Sequence, residues 1–319
     1  DFLVSSILFK AIKRNDPKAH ITIIASKKNY EYIKTLSFID ETINYPNNLL
    51  TKFKFFLSVR NKEYHLIGAL DGKKRSIYLS LLMRAKFKFL ITTKKIYKQI
   101  LKNFFTTVVY SIDTDNKIDE IKLLLKKIKL NLNTNDFKIF ENENLNINND
   151  ETSQIEKKKF VLLHFDEKWI AKSYIKEYTE IEPSIKELFN FLKSISKKTN
   201  KNIVITTGKN TSKVVSELEK NLNKISKNFY ELTYEKNKIF LITEPSFFYL
   251  KYLISKSTIL ITCHGAPSHV ASALNRYFID IFEERLKSFY HRWNSHFENC
   301  HNLYRDDFSV LSKNIIKLL

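Results

Sequence analysis

The sequence predicts an α/β chain of two Rossmann-like parallel-sheet domains facing a central cleft. Three observations carry this. Short apolar runs rich in β-branched residues alternate with helix-period segments over residues 20–91, and do so again over 159–282. A stretch rich in Asn, Asp, Glu and Thr, residues 131–158, separates the two blocks. Residues 258–274 read as strand, tight turn and helix around Gly265, one of only 4 glycines in 319 residues.

In the first block, residues 1–14 place apolar side chains at helical spacing with Lys13 and Arg14 in the last turn, and Asp1 stands where an N-cap belongs. Residues 20–25, 41–45, 64–70 and 87–91 read as strands. Helices are predicted over 28–36, 49–59 and 76–83, and over the Ile/Leu/Lys-rich residues 93–130. Asp71-Gly72 ends the third strand, at the edge where parallel sheets bind ligands. The domains are bounded as 1–135, a linker 136–158 with a possible short strand at 137–140, and 159–319.

The second block reads as a second parallel sheet. Its strands are 159–164, 202–206, 239–242, 258–262 and 277–282, the last of the series. Its helices are 184–196, 212–222, 247–255 and 267–274. The tail that carries His291, Arg292 and His296 reads as a polar loop, and 308–319 as a closing helix.

Composition narrows the class. The chain carries 54 Lys and Arg against 34 Asp and Glu, a net charge of +20. Such a balance suits nucleic acid, an anionic membrane surface or a phosphorylated substrate. Drift toward a limited alphabet of Lys, Asn and Ile supplies most of the excess. No apolar run approaches a membrane span, and no signal segment is visible. Cys263 and Cys300 lack metal-ligand spacing, which fits a reducing, cytoplasmic setting.

Around Gly265 the residue types suit an anion. A strand–turn–helix joint aims backbone N–H groups and a helix dipole at one point, where a phosphate can sit. Pro267 pre-sets the first helical turn, and Ser268 and His269 stand in it. The competing reading is an ordinary joint with a capping histidine. Lys172 follows a strand within an aromatic-basic loop, and a lysine with helix-end amides makes a diphosphate cradle. In a chain this rich in lysine, a solvated surface side chain is the alternative.

Four ordered patches resemble the heptosyltransferase-like glycosyltransferases of family 9 type, which have a GT-B fold. Asp1-Phe2-Leu3-Val4-Ser5-Ser6 is similar to that family's opening Gly-Asp-x-apolar-x-Ser/Thr, from its aspartate onward. Leu70-Asp71-Gly72 with Arg75-Ser76 is similar to its Asp-x-x-Gly-x-x-Arg-Ser segment. Leu163-His164 through Trp169, Lys172 and Tyr174 resembles its Leu-His-Pro-Gly-x-x-Trp-x-x-Lys-x-Trp segment, and residues 262–274 its Asp-Ser-Gly-Pro-x-His signature. Phe165-Asp166 stands in place of Pro-Gly. Cys263-His264 stands near the missing aspartate, with one extra residue between Gly265 and His269.

The resemblance implies an inverting, metal-independent transfer of heptose or a related sugar from a nucleotide diphosphate sugar to a lipopolysaccharide or other envelope saccharide. It implies cytoplasmic work at the inner membrane face, no cofactor, and a closing helix that returns to the first domain. Asp1 would be the general base. Lys172, His264, Gly265, Ser268 and His269 would hold the donor phosphates, Lys172 mattering far more than Lys168. Glu283 would touch the donor sugar or ribose, and Asp71 and Arg75 would lie on the acceptor side. Two other classes compete. One is a basic nucleic-acid or anionic-surface binding module on a degenerate transferase scaffold, though the chain lacks aromatic-basic RNA motifs and zinc-finger spacing. The other is a nucleotide-sugar epimerase of the same fold.

Overall fold

A computed structural model describes residues 2–140, 147, 150–170, 175–209 and 212–319, apart from the side chains of Lys28 and Leu49. The chain divides into two compact units, Asp1–Ile139 and Phe140–Leu319.

The first unit opens on helix α1 (Phe2–Asn15), whose Val4, Ile7, Leu8 and Ala11 recur every three to four residues and are buried. Arg14 donates from Nε and Nη2 to both oxygens of buried Asp136, at 2.9 and 3.0 Å. This bidentate pair fastens the end of α1 to a 3₁₀ turn at Thr134–Phe137. Strands β1 (Thr22–Ala25) and β2 (Glu41–Asn44) pair in parallel and are joined by α2 (Lys27–Ile33). Strands β3 (Glu63–Ala69), β4 (Arg84–Thr92) and β5 (Thr107–Tyr110) form a separate parallel sheet in that order. Helix α3 (Leu49–Arg60) leads into β3. Helix α4 (Lys74–Leu82) joins β3 to β4, and α5 (Lys95–Leu101) joins β4 to β5. Helix α6 (Lys117–Lys127) follows, with Ile121, Leu124 and Leu125 buried.

Strand β5 corrects the reading of residues 93–130 as helical throughout. Thr107-Val108-Val109-Tyr110 is β-branched and aromatic, and it pairs beside β4, so local strand propensity prevails over the surrounding Ile/Leu/Lys pattern. Residues 137–140 are likewise not a strand. Asn133 caps the 3₁₀ turn that precedes them, and Ile139 and Phe140 are buried as chain in irregular conformation. The stretch 136–158 ends in a packed helix, α7 (Asp150–Glu156). Its Ile155 is fully buried, Ser226 donates to Glu151, and Tyr252 donates to Glu156.

The second unit is built on one eight-stranded sheet. Its strands are β6 (Phe160–Phe165), β7 (Asn202–Thr207), β8 (Asn223–Ser226), β9 (Phe229–Tyr234), β10 (Asn237–Ile242), β11 (Ile259–Cys263), β12 (Phe278–Phe282) and β13 (Cys300–Tyr304). Their order is β13-β12-β11-β6-β7-β10-β9-β8. The central strands are buried along their whole length, which is why they read as unbroken apolar runs. Helices α8 (Ile185–Thr199), α9 (Lys213–Lys220), α10 (Phe247–Lys256), α11 (Ala266–Ala273), α12 (Lys287–Asn294) and α13 (Phe308–Leu318) complete the unit.

Three expectations are revised here. The sheet is mixed, because β9 runs antiparallel to both β10 and β8. The two-residue connections Lys227-Asn228 and Glu235-Lys236 are too short for parallel crossovers, and Glu235 takes φ 52° to make its turn. Strand β12 is not the last: β13 lies beyond it, and His291 and Arg292 stand on α12 rather than in a loop. Helix α13 packs in this unit's own core, with Leu311 and Ile315 fully buried and Phe308 edge-on to Phe191 at 5.5 Å. Among the described residues no helix is long and apolar enough to cross a membrane.

Candidate functional site

Several buried polar side chains of the second unit, among them His164, Asp166, Thr206, Glu283 and Arg305, lie at the carboxyl ends of β6, β7, β12 and β13, the edge where parallel strands bind ligands. After β6 the chain leaves the sheet through Asp166, whose Oδ1 accepts the Lys168 backbone N–H at 3.1 Å and starts a short 3₁₀ turn at Glu167–Trp169. Trp169 is fully buried, stacks on Phe165 at 5.0 Å and donates from Nε1 to the His164 carbonyl at 2.8 Å. That anchor returns the Lys168 ammonium to Asp166 Oδ2, 2.5 Å away. His164 lies on the other side of the same carboxylate, Nε2 at 3.6 Å, with its Nδ1 2.9 Å from Thr206 Oγ1 on β7.

Burial opposes ionisation of Asp166, but the hydrogen bond and charge of His164 and the charge of Lys168 outweigh it and bring the carboxyl down to about 2. Burial also opposes the charge on Lys168, and Asp166 overcomes it, leaving the ammonium above its ordinary range. The ammonium lies across the start of α11. A Cβ added at Gly265 would meet Lys168 Nζ at 2.7 Å and Cε at 3.1 Å. Only a residue without a side chain lets the cation approach this helix end so closely.

The turn itself is organised by a carboxylate on the neighbouring strand. Asp280, fully buried in the middle of β12, accepts from Ser268 Oγ at 2.6 Å and sits 2.7 Å from His264 Nδ1. Ser268 in turn accepts from the Gly265 N–H at 3.2 Å. His269 stands one residue further along α11, 5.4 Å from the His264 ring and stacked on His296 at 5.8 Å. Burial, then the charge of His264 and of His296, holds His269 well below its ordinary value, so it is neutral near pH 7. Its Nδ1 is buried with no hydrogen-bond partner among the described residues. Burial and His264 likewise bring His296 down to about 4. Cys263, at the end of β11, is pushed up to about 12 by burial and is an unreactive thiol.

Glu283, at the end of β12, is buried. Its oxygens accept from the Thr179 N–H at 2.9 Å and the Thr179 hydroxyl at 3.0 Å. Arg305 follows β13 and donates to the carbonyls of Thr179 and Lys168, at 2.8 and 2.7 Å. It ties together both flanks of the loop after β6.

The structure therefore brings His264, Gly265, Ser268 and His269 together at one turn, with Glu283 at the adjacent strand end. Asp1 and Lys172 lie outside the described residues. In the first unit Asp71 is exposed and accepts the Lys73 N–H at 3.1 Å. Gly72 takes φ +62°, and a Cβ there would meet the Ile91 carbonyl oxygen at 3.0 Å, so glycine is required. Arg75 in the first turn of α4 lies over the Tyr45 ring at 4.4 Å. Sequence reasoning gave no site role to Asp166, His164, Asp280 or Arg305, and it ranked Lys168 far below Lys172. The signal for Asp280 was present: a lone carboxylate inside Phe278-Ile279-Asp280-Ile281-Phe282 must be paired, because burying it unpaired is prohibitive.

The architecture is the α/β fold of the heptosyltransferases, two Rossmann-like units in tandem. The glycosyl transferase of family 9 from Veillonella parvula aligns over 100% of this chain and 86% of its own, at TM-score 0.64 and 13% identity. The E. coli ADP-heptose lipopolysaccharide heptosyltransferase II aligns over 100% and 95%, at 0.63 and 13%. The E. coli heptosyltransferase WaaC with ADP-2-deoxy-2-fluoro heptose aligns over 100% and 96%, at 0.64 and 10%. A UDP-GlcNAc 2-epimerase from Neisseria meningitidis, bound to UDP-GlcNAc, aligns over 99% and 86% at a lower 0.53 and 14%. No protein-family model and no curated protein sequence matches the chain.

Proposed function

We propose that this protein is a glycosyltransferase that takes a sugar from a nucleoside diphosphate sugar, heptose or a related sugar, and passes it to a saccharide acceptor of the cell envelope. One observation carries the reading: an ammonium group, held by a buried carboxylate, lies against Gly265 at the start of α11. Helix-end amides and a fixed cation together suit a diphosphate better than either alone.

In this reading the acceptor hydroxyl oxygen attacks the anomeric carbon from the face opposite the diphosphate. The new C–O bond forms as the bond to the diphosphate oxygen breaks, and the nucleoside diphosphate leaves with that electron pair. The hydroxyl proton passes to a carboxylate, for which the resemblance nominates Asp1. Lys168 opposes the negative charge that grows on the departing diphosphate, without a metal ion. His264 and Ser268, both oriented by Asp280, shape the turn against which the phosphates rest.

Isothermal titration with ADP, UDP, GDP and their sugars tests the proposal, and no binding by any of them overturns it. Lys168→Ala and Lys172→Ala, compared in the same assay, decide which lysine serves the diphosphate; equal and negligible effects remove the cradle. An epimerase reading is favoured by the alignment with the UDP-GlcNAc 2-epimerase. Epimerised sugar formed from donor alone, without acceptor, would establish it instead.

A further inference from the structure

Helix α3 is apolar on two faces. Its inner side sends Phe55, Phe56 and Val59 into a cluster with Ile67 of β3 and Leu79 of α4. Its outer side carries Leu50, 78% exposed, Phe53, 63% exposed, and Leu57, at one-turn spacing and open to solvent. An ordinary surface helix has one apolar face, so the second one requires its own explanation.

The next two helices repeat the feature beside it. A second cluster joins Ile77 of α4 to Leu101 of α5 over Ala69 and Leu90 of the sheet. Successive right-handed crossovers along β3-β4-β5 put α4 and α5 on one face of that sheet, and the shared cluster with α4 places α3 beside them. On the outer side of α4, Tyr78 and Leu82 are exposed. On α5, Ile96 and Ile100 are 56% and 57% exposed, and Phe104 continues their line just past the helix. These side chains sit in a basic segment. The three helices themselves carry seven Lys and Arg, including Lys52, Lys54, Lys95 and Lys98, and no acidic residue, within a segment 49–104 whose only acidic residues are Glu63 and Asp71.

We propose that the outer face of α3, α4 and α5 docks on an anionic lipid bilayer. The apolar and aromatic side chains enter the interfacial region while the lysines and arginines between them meet acidic headgroups. The chemistry argues against two other occupants. A second copy would set like charge against like across an isologous interface. A nucleic-acid face needs bases to stack on or phosphates to bind, and gains nothing from exposed Leu50, Leu57, Leu82, Ile96 and Ile100. The inference does not rest on the donor site, since vesicle binding is read without nucleotide and nucleotide binding without vesicles.

Flotation of the full chain with vesicles tests it, comparing phosphatidylcholine alone with an equal mixture of phosphatidylcholine and phosphatidylglycerol. The chain is expected to bind the anionic vesicles at least ~10-fold more tightly, with the difference shrinking at high salt. The triple variant Phe53→Ser/Leu57→Ser/Ile100→Ser is expected to lose ~10- to 100-fold of that binding. All three positions are exposed, so its circular dichroism and thermal unfolding should match the parent chain. Ile225→Ser, at an exposed apolar position of the second unit, is the control and should float as the parent does. No flotation with anionic vesicles, or unchanged flotation of the triple variant, overturns the proposal. It is overturned equally if the triple variant instead abolishes an RNA gel-shift at physiological salt or converts a dimer to a monomer in sedimentation.

Discussion

At the strand ends of the second unit, Asp166, Asp280 and Glu283 are buried and each accepts from two groups. At the end of β3 in the first unit, Asp71 is exposed and accepts a single backbone N–H. Arg305 is buried and holds two carbonyls, whereas Arg75 is exposed and rests on one aromatic ring. At these strand ends the second unit thus fixes its polar groups before any ligand arrives, while the first leaves Asp71 and Arg75 to solvent. A buried, satisfied network holds geometry firmly and is costly to break, and an exposed pair is neither.

The matched pair Asp280→Ala and Asp71→Ala is the sharpest way to break this contrast. Asp280→Ala leaves His264 and Ser268 without their shared acceptor, and should cost ~3 kcal/mol in denaturant unfolding. Asp71→Ala should stay within ~0.5 kcal/mol. Equal losses would mean the two edges are not built differently.

Acidification probes the same edge from another side. His296 and His269 are held below their ordinary values, so the unfolded chain takes up protons first as pH falls. The stability they contribute is intact above about 6.5 and is lost as pH descends toward about 4. Thermal unfolding between those values should fall by an amount on the order of 3 kcal/mol for His296. His296→Phe should make the profile shallower while His269 keeps its share, and a flat profile in the parent chain would contradict the burial seen here.

Lys168→Ala should raise the nucleoside diphosphate Kd ~10- to 100-fold, because it removes one charge-assisted contact at a partly buried site. Gly265→Ala should act in the same direction and more weakly, since the lysine tip can retreat from the added Cβ. The smallest effect belongs to Arg75→Ala. Its cation–π contact with Tyr45 is exposed, and ~0.5–1 kcal/mol is the most it should cost.

Much of the architecture was legible in the residues. The buried strands β6, β7 and β11 announce themselves as continuous apolar runs, and α11 begins where Gly265 and Pro267 mark a turn and a first helical residue. Strands β5, β8, β9 and β13 were not read, although Thr107-Val108-Val109-Tyr110 and Phe229 to Tyr234 carry strand-forming residues. Lysines and asparagines around them mask the pattern, and pairing with a neighbour supplies what propensity alone does not. At the candidate site, His264, Gly265, Ser268 and His269 were visible because they are adjacent in the chain.

The sequence by itself determined the alternation of strands and helices, the polar break between two blocks and the turn at Gly265, because each is written within a few neighbouring residues. The tertiary structure alone decided that Lys168 reaches that turn, that Asp280 organises it from the adjacent strand and that Arg305 ties the loop flanks. Those partners are separated by 12 to 137 positions along the chain. Only the pairing order of the sheet brings them within hydrogen-bonding distance, and no local periodicity encodes that order.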